Sequence, residues 1–89
     1  MLIIHRYDVP ESTRFSLDLP VGAKILTPVG TYIWALVDTE ATSTETHYFL
    51  LTDDSTAPIN EPMENLNYIG GFNPYGNVYA HIFELIKKK

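Results

Sequence analysis

With 89 residues and no cysteine, this chain has room for one small domain whose core is held by packing alone, since neither a disulfide nor a thiolate zinc site is available. A hydrophobic share of 45% and an aromatic share of 12% exclude a disordered chain, and its longest apolar runs fall far short of the roughly 20 residues a membrane helix needs. Eleven acidic residues oppose six basic ones, three of which are Lys87, Lys88 and Lys89, so the rest of the chain carries 3 − 11 = −8, a field that repels phosphate backbones and favours basic partners.

Met1 leads straight into alternating Leu2, Ile4, Arg6 and Ile3, His5, Tyr7, which predicts a short, largely buried strand over 2–8 ended by Val9-Pro10. No basic head, long apolar middle or cleavage site of a secretion signal is visible there, so a cytosolic location is expected. Phe15, Leu17 and Leu19 alternate with Ser16 and Asp18, the period of a strand with one wet face, and Pro20 ends it. Val21-Gly22 reads as a turn into Ala23 to Leu26, after which Pro28 and Gly30 interrupt pairing.

Thr31 to Val37 is rich in β-branched and aromatic residues, and its run from Ile33 predicts a central strand buried on both faces. Asp38 to Thr46 is polar and leads into a strand over 47–51, for which a hairpin with 31–37 is the expected pairing. The longest loop spans 52–65, punctuated by Pro58 and Pro62. A strand over 66–72 follows, where Gly70-Gly71 invites a bulge or a close backbone approach. Asn73-Pro74-Tyr75-Gly76-Asn77 reads as a turn, and the alternation over 78–86 favours a strand over a helix. Six or seven short strands with these spacings predict an all-β domain, a small antiparallel sandwich or partly open barrel. The lysine tail reads as a solvated end.

Chemistry-bearing patterns are sparse. His5, His47 and His81 lie on predicted strands but lack the spacing of metal ligands. None of Ser12, Ser16, Ser43 and Ser55 sits in a G-x-S-x-G turn, and Gly70-Gly71 lacks the helix and lysine of a phosphate loop. Asp53-Asp54-Ser55 lacks the ligand spacing of a calcium loop. These readings point away from an enzyme, a resident metal and a cofactor. What stands out is acid in the loops: Asp38, Glu40 and Glu45 flank one connection, while Asp53, Asp54, Glu61 and Glu64 fill the long loop. Gathered on one side, they would form a surface for a basic protein; solvated loops give the same composition. Tyr32, Tyr48, Tyr68, Tyr75 and Tyr79, with Trp34 and Phe72, supply rings suited to an interface, a planar ligand or a sheet core.

Val9-Pro10, L-P-V-G-A-K-I-L over 19–26, W-A-L-V-D over 34–38, Y-I-G-G-F over 68–72 and H-I-F-E over 81–84 occur in this order across nearly the whole chain. In this they resemble a family of short uncharacterised proteins encoded by bacteriophages and prophages. The resemblance implies an all-β fold and a phage origin, and carries no site residue with it. The chain departs from the family pattern over 52–65, where relatives often carry a G-T-G-x-P stretch. His81 and Glu84 match the last block, yet strand alternation puts them on opposite faces.

Three functions follow as expectations. The first is a non-enzymatic phage accessory protein that binds, with its acids docking on a basic surface of a host protein of the defence or transcription machinery, as an inhibitor. The second is a small-molecule binder for a nucleotide signal, built from Trp34 and Tyr75 between protomers of a homodimer, with Arg6, Arg14 or Lys24 near the phosphates. The third is a structural or virion-associated module assembling through a free sheet edge.

Overall fold

The computed structural model describes residues 1–10, 12–29, 31–53, 58–72 and 80–86. The turn expected over 73–77, with Tyr75, and also Tyr79, Asp54 and the lysine tail, lie outside the described residues. Among the described residues seven strands are found: β1 Leu2–Asp8, β2 Arg14–Pro20, β3 Lys24–Ile25, β4 Tyr32–Asp38, β5 Thr44–Thr52, β6 Leu66–Phe72 and β7 Ala80–Leu85. They form two antiparallel sheets, β1-β4-β3 and β2-β5-β7-β6, and no closed barrel. Among the described residues no helix is long and apolar enough to cross a membrane.

Strand alternation decides which side chains meet. In the three-stranded sheet Ile33, Ala35 and Val37 of β4 turn inward and are buried; in the four-stranded sheet Leu19 of β2, Phe49 of β5 and Ile82 of β7 do the same. Ile33, Phe49 and Ile82 form the centre, with Val9, Phe15, Leu17, Ile25, Leu51 and Ile69 packed around them. Phe15 stacks on Phe49 with ring centroids 5.2 Å apart. Each fully buried aliphatic or aromatic side chain contributes about 1.5–3 kcal/mol through loss of contact with water.

Turn chemistry joins these strands. The Ala23 N–H donates to the Pro20 carbonyl at 3.0 Å across a turn whose third residue, Gly22, has φ +85°. That left-handed backbone suits glycine because it lacks a Cβ. At the other glycine pair the β6–β7 register shifts between Tyr68 and Gly70, and Gly70 lies so close to the chain at Pro28 that an added Cβ would sit 2.9 Å from the Pro28 Cδ. Bulge and close approach coincide.

Three expectations are corrected. β1 is an exposed edge strand: Leu2 and Ile4 are 63% and 62% exposed. An unbroken apolar alternation does not distinguish a covered strand from one whose outer neighbour is missing. β4 is central, but only one of its faces is buried, while Tyr32, Trp34 and Leu36 on the other are half-covered. β4 and β5 form no hairpin; β4 pairs with β1 and β3, β5 with β2 and β7. The polar residues 39–43 form an arch that carries the chain from one sheet to the other, so apolar faces of both strands meet across the core instead of side by side.

Candidate functional site

Among the described residues, the outer face of one sheet and a cleft between the sheets bring together side chains capable of recognition. The first is the outer face of the three-stranded sheet. The β1–β4 register sets Leu2 opposite Asp38, Ile4 opposite Leu36, Arg6 opposite Trp34 and Asp8 opposite Tyr32, and Lys24 of β3 continues the row at Leu36. These even-numbered residues share one face because the intervening Ile3, His5 and Tyr7 pair with inward-facing Val37, Ala35 and Ile33.

The aromatic part of this face is held in place. The Trp34 indole N–H donates to the Val29 carbonyl at 3.3 Å, and Tyr32 meets Trp34 edge-on at 6.1 Å between centroids. Arg6 lies over the Tyr32 ring, its guanidinium carbon 4.6 Å from the centroid, a cation–π contact of about 0.5–1 kcal/mol at an exposed site. The result is an apolar and aromatic surface in which Leu2 and Ile4 stand out into solvent.

The second place is a cleft of about 490 Å³ between the sheets, lined by Lys24, Ile25 and Thr27 on one side and His47, Asn67 and Glu84 on the other. His47 is the hinge of its chemistry: Nδ1 lies 2.6 Å from a Glu84 carboxylate oxygen and Nε2 3.3 Å from one of Glu45. Glu45 and His47 are two apart on β5 and share its inner face, while Glu84 arrives diagonally from β7, opposite Phe49. The carboxylates sit at opposite nitrogens of the ring, so the three groups do not converge on a point; among the described residues no three such side chains are arranged to hold a metal ion. Sequence reasoning missed this trio. The Glu45-x-His47 spacing on a strand was its one visible signal; the contribution of Glu84 needs the strand order.

The residues singled out in the sequence are dispersed. Arg6 and Trp34 meet as register partners, but Arg14 lies on β2 of the other sheet, opposite Leu50. The described acids do not all lie together. Glu45 is near the start of β5 and Asp53 just beyond its end, about 26 Å apart at 3.3 Å per residue. Glu64 lies in a 3₁₀ turn, Met63–Asn65, and Glu61 just before it. Asp38 and Glu40 close on the Met1 ammonium at 3.2 and 3.1 Å. Those bonds, Glu40 first, raise the pKa of the amine. The Glu40 backbone N–H, then the ammonium, hold the Asp38 carboxyl below its ordinary range. The histidines do not converge either: His47 faces inward, His81 faces outward and bonds the Tyr68 hydroxyl at 2.9 Å, and His5 belongs to the other sheet beside Tyr7.

No curated protein and no solved structure matches this chain. Residues 1–89 match a family model described as a domain of unknown function, DUF7352, and the chain belongs to that family.

Proposed function

We propose that this is a non-enzymatic accessory protein of phage origin that works by binding a host protein, and that the contact is made by the outer face of the three-stranded sheet. The observation that carries this reading is the exposure of Leu2 and Ile4, 63% and 62%, beside Leu36 and the fixed Trp34–Tyr32–Arg6 group. Covering an aliphatic side chain contributes about 1.5–3 kcal/mol, and rigid aromatic and arginine side chains are the usual anchors of an interface. Acid spread over the rest of the body supplies long-range attraction to a basic partner of the defence or transcription machinery. The acids would thus speed the encounter, while the apolar face would hold the complex.

The two contributions separate kinetically. Immobilised protein should retain a discrete host protein from lysate, and in titrations with that protein purified, Leu36→Lys should speed dissociation about tenfold or more, as interface substitutions usually act on the off-rate. Raised salt should chiefly slow association. Circular dichroism of the variant checks the fold. Retention of no host protein, or equal affinity of Leu36→Lys and the parent chain, would sink the proposal.

A further inference from the structure

The sheet edges are not equivalent. β3 is two residues long, β6 is interrupted by its bulge, and β2 places Arg14 and Asp18 on its outer face and runs out at Pro20. Shortness, bulges, charge and proline are the features that stop an edge from pairing with another chain. β1 differs in its first half: like β2 it keeps unbroken register over seven residues and carries a charged pair, Arg6 and Asp8, on its outer face, but its first three residues, Leu2, Ile3 and Ile4, are exposed aliphatics at 63%, 40% and 62%.

The ladder fixes which backbone groups that edge offers. The Met1 carbonyl accepts from the Thr39 N–H at 2.9 Å and the Val9 N–H donates to the Thr31 carbonyl at 3.3 Å, so odd-numbered residues turn their backbone groups to β4. Alternation in an antiparallel pair then points the N–H and C=O of Leu2, Ile4, Arg6 and Asp8 the other way. No described strand meets them there.

We propose that this edge pairs antiparallel with β1 of a second copy of the chain about a two-fold axis at His5, joining the two three-stranded sheets into one of six strands. In this register Leu2 of one copy faces Asp8 of the other and Ile4 faces Arg6, so every outward backbone group of β1 finds a partner. The composition of β1 makes it complementary to itself. Its aliphatic half lies beside its charged half, each Leu2 and Ile4 gains a neighbour at its side while its outer surface stays open, and no two like charges stand opposite. Sliding the pairing by one rung pair in one direction sets Arg6 against Arg6, which is repulsive; sliding it in the other leaves Asp8 unmatched. On the inner face Ile3 meets Tyr7 of the other copy, and the two His5 side chains flank the axis. The central-strand residues Leu36 and Trp34 stay available on the outer face, so pairing of copies and host-protein binding are separate events.

Sedimentation should give a species of twice the 10.1 kDa chain mass. Ile4→Pro removes an N–H that β4 does not use, a position where an edge strand tolerates proline, and should weaken the dimer on the order of tenfold or more by deleting a hydrogen bond at two symmetric places. The chain has no cysteine of its own, so the axis can be read by crosslinking. Facing residues at the non-hydrogen-bonded site lie about 4.5 Å apart, within disulfide reach. His5→Cys should link to itself on oxidation; Tyr7→Cys should not, yet should link to Ile3→Cys when the two are mixed. A monomer at every concentration, a dimer indifferent to Ile4→Pro, or self-linking of Tyr7→Cys as readily as of His5→Cys would each overturn the proposal.

Discussion

Gly70 shows how a single missing methyl group fixes the join between two parts of the chain. A Cβ there would meet the Pro28 Cδ at 2.9 Å and the Thr27 Cγ2 at 3.4 Å, and the proline ring cannot swing aside. Gly70→Ala is therefore expected to destabilise the fold by about 1–3 kcal/mol through overpacking, more than the roughly 0.4–1 kcal/mol that a less flexible unfolded chain returns; urea denaturation checks it. This residue was legible in the sequence because two adjacent glycines within a strand pattern have few other uses. A second residue-scale effect is electrostatic. The Asp38 pKa is lowered, so its contribution to stability is present above the ordinary value of 3.8 and lost as pH falls through the folded value; the Met1 amine is raised, so its contribution is present below 8.0 and lost as pH rises through the folded value. The stability gap between the parent chain and Asp38→Asn should thus be widest between these limits and narrow on either side, as denaturation across pH would record. Asp38 and Glu40 were visible as acids; their closure on the ammonium depends on a pairing that brings residues 1 and 38 together.

Individual strands were read well because period-two alternation is a local property, and β2, with one wet face, was the clearest. Pairing was not. Apolar strands close in sequence look like a hairpin, yet nothing in Ile33 to Val37 or Tyr48 to Leu51 says whether they lie side by side or face to face. The link over 39–43 decides it by crossing between layers. Burial was misjudged for the same reason at β1, whose aliphatics suit a covered strand and an open edge equally. Between elements, His47 ties β5 to β7 through the Glu84 carboxylate at 2.6 Å, with side-chain exposures of 15% and 20%. His47→Leu should cost about 1–3 kcal/mol because a mostly covered carboxylate loses its hydrogen-bond partner. Adding Glu84→Leu should recover part of that loss, since removing both partners spares the stranded charge. A double-mutant cycle by denaturation tests this, and additive losses would refute it.

The all-β sandwich was within reach of the sequence, whereas the distribution of charge over it was not, because Glu45 and Asp53 are near neighbours in sequence and lie at opposite ends of one strand. The same topology governs how the chain must assemble. Leu2 pairs with Asp38 and Asp8 with Tyr32, and likewise Arg14 with Leu50 and Pro20 with Thr44, so both principal ladders of the N-terminal half bridge 24 to 36 positions. Pairings this distant place an all-β chain among slow folders, in the millisecond-to-second range. On a ribosome, β1 waits for β4 to emerge before the strand it pairs with exists, and its aliphatic side chains spend that interval open to chaperones and to other nascent chains.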